Sequence, residues 1–151
     1  MFKKLITICL FLLMMVGTSI AQSSGLGLGL ILGEPTGISM KYWTGRTTAI
    51  DGAVAWSIGK YSGTHLHGDY LWHIFNLINI RRGKLPFYYG VGARLGLGGK
   101  ENRVGIRGVA GLAYLLADLP LDVFLEIAPV FDLSPKTDLD LNAAIGIRYF
   151  F

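Results

Sequence analysis

Three histidines and an aspartate in one stretch are the residues whose types and spacing could support chemistry. They are His65, His67, Asp69 and, four residues further on, His73. On a β-strand these alternating positions project from a single face. Two imidazoles and a carboxylate could bind zinc or form an acid–base pair, but polar side chains hydrogen-bonded to their neighbours give the same pattern. We therefore predict neither a metal nor a cofactor. Only an alternative hypothesis retains catalytic candidates, which are His65, His67 and Asp69.

The elements that must position these side chains are β-strands. Eight segments of strand composition are separated by turn signals at fairly regular spacing, and no long helical periodicity is present. An even number of antiparallel strands can close into an up-and-down barrel. Glycine, at 21 of 151 residues, is about twice as frequent as the usual ~7%, which suits closely packed strands and tight turns. The predicted strands are Gly25–Leu32, Ile38–Trp43, Thr48–Ile58, Thr64–Ile74, Leu85–Leu97, Arg103–Leu116, Leu121–Leu133 and Leu139–Phe151.

Each predicted strand has a bulky apolar face and a face of small and charged residues. Because the interior of an eight-stranded barrel is only wide enough for side chains, we expect the bulky face to point outward. That is the alternation of a transmembrane barrel. Charges in the lumen, which is the barrel interior, need partners. A hairpin register places Arg148 opposite Asp122, and Arg107 or Arg94 could reach Glu126, so these five residues form the predicted ion-pair network.

The first 21 residues predict a secretory signal peptide. Lys3 and Lys4 precede an apolar run, Leu5–Val16, and small residues end with Ala21. The predicted organisation is thus a signal peptide at 1–21 and a β-barrel at 22–151. Removing both lysines leaves twelve basic against ten acidic residues, a net charge of +2, and these charges are scattered. A nucleic-acid partner is therefore not expected. The only cysteine, Cys9, lies in the signal peptide.

The last predicted strand alternates apolar and polar residues and ends in Phe151, with Tyr149 two residues before it and Gly146 three further back. This pattern resembles the closing strand of bacterial outer-membrane β-barrels, although Ala144 stands where that family has a polar residue. The resemblance implies that Gly146, Tyr149 and Phe151 act as a barrel-assembly signal. It also implies an outer-membrane location, contact with membrane lipid, and transient binding to periplasmic chaperones and the barrel-assembly machinery. A monomer is expected.

Other motifs are similar to a family of small uncharacterised exported bacterial proteins. They are the Gly–Leu start at 25–30, Gly33–Gly37, Tyr88–Gly92 and Leu121–Leu133. That resemblance implies no activity, so the leading hypothesis is a non-enzymatic outer-membrane barrel with a plugged polar lumen, in an envelope or minor-pore role. One alternative is an enzyme resembling the lipid A deacylases or acyltransferases, working through His65, His67 and Asp69. Another is a soluble periplasmic barrel that binds an apolar ligand inside.

Overall fold

Eight antiparallel strands in sequence order form a closed barrel. The computed structural model describes residues 25–34, 36–57, 63–98, 102–134 and 136–151. The predicted signal peptide, Ile58 and most of the turn at 59–63 lie outside the described residues. The strands are β1 Leu26–Gly33, β2 Thr36–Trp43, β3 Thr48–Ser57, β4 Gly63–Ile74, β5 Phe87–Leu97, β6 Arg103–Leu115, β7 Leu121–Ser134 and β8 Asp138–Phe150. The predicted all-β, eight-stranded up-and-down barrel is confirmed.

The barrel closes where β1 pairs with β8, with Leu28 opposite Tyr149 and Leu32 opposite Ile145. The glycines of β1 make this pairing possible. A side chain at Gly29 would lie 1.7 Å from the carbonyl oxygen of Ile147, so only glycine fits at that approach. The Gly–Leu alternation at 25–30 therefore belongs to the seam of the barrel.

Strand boundaries differ from the prediction by at most two residues. The largest differences are at β2, which begins at Thr36 rather than Ile38, and at β5, which begins at Phe87 rather than Leu85. Pro86 has no N–H to donate to a ladder, which explains the later start of β5. The pairing of β6 with β7 shifts between Val104 and Gly105, as at a β-bulge. Across the described ranges, no helix has the length and apolar character needed to cross a membrane.

The two faces of the wall differ as predicted. Large apolar side chains such as Leu30, Val91 and Leu141 are exposed on the outside, whereas charged side chains are buried in the lumen. We call the end that contains Leu26 and Phe150 the lower end, and the opposite end the upper end. Apolar lumen residues pack as one cluster along the wall and a second at the lower end, where Trp43, Ala49 and Phe150 meet Phe75 of the connector between β4 and β5.

Candidate functional site

The buried charges of the lumen fall into two groups of contacting side chains. The central cluster consists of Lys41, Asp51, Asp69, Arg107, Asp122, Glu126 and Arg148, all almost fully buried. The Arg94 cluster, nearer the upper end, consists of Arg94, Arg103, Asp132 and Asp140. Alternation along each strand brings these side chains to one face, and barrel closure brings that face together from strands distant in sequence. The lumen is therefore the candidate site.

Arg148 on β8 makes the largest set of contacts in the central cluster. Its register partner is Asp122 on β7, and Nη1 lies 3.6 Å from Asp122 Oδ2. Nη2 donates to Asp51 Oδ2 at 3.1 Å, and Nε donates to Ser39 Oγ at 2.9 Å. The guanidinium also lies 3.8 Å from the ring centroid of Phe124. One side chain thus connects four strands across the lumen.

Gly146, one of the predicted assembly-signal residues, has a second effect inside the lumen. A Cβ at Gly146 would lie 2.2 Å from the ring of Phe124. The absence of a side chain there lets that ring sit beside Arg148. The glycine of the closing strand therefore shapes the central cluster directly.

Lys41 is fully buried near the lower end, and among the described residues no carboxylate lies at hydrogen-bond distance from it. Its ammonium lies 2.8 Å from His73 Nε2 and 3.8 Å from Asp122 Oδ2. His73 Nδ1 lies 3.1 Å from the Thr47 carbonyl oxygen, which can only accept. Nδ1 therefore carries the imidazole proton and Nε2 accepts from Lys41. The ammonium also faces the Trp43 ring at 4.4 Å, a favourable cation–π contact.

Arg107, on β6, lies between two carboxylates. Nη2 donates to Glu126 Oε1 at 3.4 Å, and Nε lies 2.9 Å from Asp69 Oδ1. The N–H at Nε does not point at that oxygen, so the Asp69 contact is an ion pair without a hydrogen bond. Tyr88 donates to the other oxygen of Glu126 at 2.7 Å. Of the two arginines predicted to reach Glu126, Arg107 makes the contact.

Arg94 instead contacts Asp132 and Asp140. Nη2 lies 2.7 Å from both carboxylate oxygens of Asp132, and Nη1 lies 3.7 Å from Asp140. Arg103 Nη1 also approaches Asp132, at 3.7 Å. Asp132 was missing from the predicted network. It lies an even number of residues from Asp122 and Glu126 on β7, so strand alternation already places it on the same face. Lys41 and Asp51 were likewise on the predicted lumen face but absent from the network.

His65, His67 and Asp69 are buried together on the lumen side of β4. The rings of His65 and His67 lie 5.9 Å apart, and His67 Nε2 lies 3.9 Å from Asp69 Oδ2. Asp51 on β3 is the register partner of Asp69. One ligand atom each from Asp51, His67 and Asp69 lie within 4.8 Å of one another. The sequence showed the histidines but not their proximity to Asp51.

Tyr149 and Phe151 lie on the outside of the lower end. Their rings meet edge to face at 5.3 Å, and Phe151 follows the last residue of β8 with its ring exposed. The Phe151 N–H donates to the Leu26 carbonyl oxygen at 2.9 Å. Further aromatic side chains surround the same end, with Trp72 stacked on Tyr89 at 5.7 Å. Such a belt is typical of a membrane–water interface.

No family model matches the chain, and no curated protein matches it. Among solved structures, it is similar to the N-terminal β-barrel domain of Pseudomonas aeruginosa OprF, at 12% sequence identity and a TM-score of 0.58. The similarity covers 83% of this chain and 95% of that domain. Because the identity is low, the likeness concerns the fold. The chain is an eight-stranded antiparallel barrel that resembles an outer-membrane barrel domain.

Proposed function

We propose that this protein is an integral barrel of the bacterial outer membrane, and that its lumen is closed by ion pairs rather than open as a wide pore. The observation that carries the proposal is the inversion of the usual burial pattern. The outer wall exposes large apolar side chains on all eight strands, while the charged side chains are buried inside. Soluble monomers rarely expose contiguous apolar patches of that extent. Hydrocarbon around the barrel would cover this surface.

A non-enzymatic role in the envelope fits the positions of the catalytic candidates. His65, His67 and Asp69 are buried in the lumen, whereas an enzyme acting on membrane lipid has to reach its substrate at the outer wall or the rim. A soluble barrel with an apolar ligand inside is also disfavoured, since the two charged clusters occupy the lumen. The protein therefore supports envelope structure, or passes very small solutes when the lumen contacts rearrange.

The proposal includes a route by which the barrel is exported and inserted into the outer membrane. The exposed ring of Phe151 and the half-buried ring of Tyr149 lie on the outside of the lower end of the barrel, where periplasmic chaperones and the barrel-assembly machinery would bind the closing strand. The predicted signal peptide at 1–21 would deliver the chain across the inner membrane. The finished barrel acts as a monomer surrounded by lipid.

A matched pair of arginine substitutions tests the membrane location. Ile127 lies near the middle of β7 and is 52% exposed, and Leu119 lies in the turn before β7 and is 53% exposed. If lipid surrounds the wall, Ile127→Arg costs about 2–4 kcal/mol because it places a charge near the midplane, while the turn position costs about 0–1 kcal/mol. The measurement is the amount of folded, heat-modifiable barrel in the outer-membrane fraction. Equal amounts for I127R and L119R, or recovery of the wild type in the soluble fraction, would refute the proposal.

Conductance across planar bilayers separates a closed barrel from a gated one. The wild-type barrel should conduct little, because charged and aromatic side chains fill the lumen. Charge reversal by Glu126→Lys places a cation beside Arg107, which contacts Glu126 at 3.4 Å, and should open conducting states if the cluster acts as a gate. An unchanged conductance would eliminate the gate and leave the structural envelope role.

A further inference from the structure

Two buried carboxylates, on β3 and β4, occupy directly opposed positions of the sheet. Asp51 and Asp69 are register partners, a cross-strand arrangement that like charges normally destabilise. Each carboxylate has one arginine beside it, since Arg148 donates to Asp51 Oδ2 at 3.1 Å and Arg107 Nε lies 2.9 Å from Asp69 Oδ1. Among the described residues, no donor hydrogen-bonds to the other two oxygens, Asp51 Oδ1 and Asp69 Oδ2.

His67 is independent evidence that a ligand binds next to these carboxylate oxygens. Its side chain is only 2% exposed, and Nδ1 has no hydrogen-bond partner in the part of the chain that the structure describes. Nε2 lies 3.9 Å from Asp69 Oδ2, too far for a hydrogen bond. Buried imidazole nitrogens are almost always paired in folded proteins. The ring therefore stands next to two free carboxylate oxygens without bonding to either.

The charge of the surroundings also favours a cation. The central cluster contains four acidic and three basic side chains, so it has an excess negative charge when the histidines are neutral. Asp122 does not account for the excess, because it lies between Lys41 at 3.8 Å and Arg148 at 3.6 Å. The uncompensated repulsion is concentrated between Asp51 and Asp69.

We propose that Asp51, His67 and Asp69 bind one divalent transition-metal ion inside the lumen. One imidazole and two carboxylates form a ligand set that suits zinc, and the imidazole disfavours magnesium and calcium. Tetrahedral bonds of about 2.1 Å put ligand atoms roughly 3.4 Å apart. The three side chains offer atoms within 4.8 Å of one another, so small side-chain rotations complete the site. A water molecule takes the fourth position.

The two arginines have a defined part in this site. Arg148 contacts one oxygen of Asp51 and Arg107 contacts one oxygen of Asp69, which leaves the other oxygen of each carboxylate for the metal and orients the ligands as outer-sphere partners do in metal sites. Gly92 on β5 leaves the space that Asp69 needs, since a Cβ there would lie 2.1 Å from Asp69 Oδ1. The site needs only this lumen geometry and does not depend on the envelope role proposed above.

The test is zinc binding by the untagged, refolded barrel in detergent. After incubation with zinc and removal of free ions by gel filtration, elemental analysis should find one zinc per wild-type chain. His67→Gln and Asp69→Asn should weaken binding by about 100-fold or more, beyond the 10–100-fold typical of outer-sphere losses. His73→Gln is the matched histidine control and Asp132→Asn the matched acid control, and both should retain one zinc. Heat-modifiable gel mobility verifies that each variant is folded.

Two results would overturn the proposal. One is a folded wild-type barrel that retains no zinc, which would mean that Asp51 and Asp69 share a proton instead. The other is zinc retained equally by H67Q and H73Q. If H67Q or D69N does not fold, X-ray absorption on the zinc-loaded wild type decides the question. One nitrogen among oxygen ligands at about 2.0–2.2 Å supports the site, whereas a shell without nitrogen, or with several histidines, contradicts it.

Discussion

The two charged clusters of the lumen both contain arginines and aspartates but differ in their charge balance. In the Arg94 cluster, two arginines meet two aspartates, and both carboxylates contact a guanidinium. In the central cluster, four acidic side chains meet three basic ones, and two of the acids face each other directly. The first can be stable as it stands. The second requires a proton or a bound cation, which is why the candidate metal site lies there.

Position along the barrel explains part of this difference. The Arg94 cluster lies near the upper end, next to the irregular pairing of β6 and β7, and the Asp140 side chain is 32% exposed. Water can therefore solvate one of its members. The side chains of the central cluster are shielded, so their charges must be compensated by protein groups or by ions. An unpaired charge therefore costs more in the central cluster than near the upper end.

Removing an arginine from each cluster should reveal this difference most strongly. Arg148→Met leaves Asp51 and Asp122 with weaker compensation in the centre and should cost about 3–5 kcal/mol, the usual effect of breaking a buried ion pair. Arg94→Met leaves Asp132 beside Arg103, at 3.7 Å, and Asp140 partly in water, so about 1–3 kcal/mol is expected. Urea unfolding of the barrel in lipid vesicles measures both free energies of unfolding.

Methionine is the substitution in both clusters because its unbranched apolar side chain replaces the aliphatic stem of arginine without the charged guanidinium. Equal losses of stability for R148M and R94M would show that the two levels of the lumen are energetically alike. The distinction between a self-sufficient cluster and one that needs an ion would then fail.

The sequence predicted the barrel and the facing of its strands because both depend on local alternation. The pairing of Arg148 with Asp122 could also be predicted from the sequence, since a hairpin register follows from a short turn. The contact between Arg148 and Asp51 could not be predicted, because β8 and β3 are not neighbours and their approach depends on how the whole barrel closes. Asp51 and Asp69 could be placed on the lumen face but not opposite each other without the β3–β4 register.

Two glycines of β5 extend the comparison to the backbone. A Cβ at Gly92, beside the central cluster, would lie 2.0 Å from the Gly68 carbonyl oxygen and 2.1 Å from Asp69 Oδ1. A Cβ at Gly96, beside the Arg94 cluster, would have its three nearest atoms on the flexible Arg103 side chain, the first at 3.4 Å. Gly92→Ala should therefore cost about 2–3 kcal/mol through overpacking, while Gly96→Ala should stay within about 0.5 kcal/mol of the wild type or stabilise the strand slightly.

The same urea titration measures both glycine variants, and each serves as the control for the other because they share a strand and a substitution. G92A should also lose zinc, since its methyl group displaces Asp69. A stable G92A barrel that still binds zinc would mean that Asp69 does not need its observed position, which would remove the central site.

Neutralising one acidic side chain in each cluster should have the smallest effects on the free energy of unfolding. The two variants should also differ in how zinc changes their stability. With a chelator present, Asp132→Asn removes charge from a balanced cluster and should cost about 1.5–2 kcal/mol. Asp69→Asn weakens the Arg107 contact but also relieves repulsion with Asp51, and Arg107 keeps Glu126. Its net effect should therefore stay below about 1 kcal/mol.

Adding zinc should then reverse the ranking of these variants relative to the wild type. At a free zinc concentration 100 times the dissociation constant, the wild type and D132N should each gain about 2.7 kcal/mol, because zinc binds the folded barrel. D69N should gain little, since it has lost a ligand. A D69N barrel that is as destabilised as D132N in chelator, and equally stabilised by zinc, would show that Asp69 is an ordinary ion-pair partner and that the two clusters differ only in position.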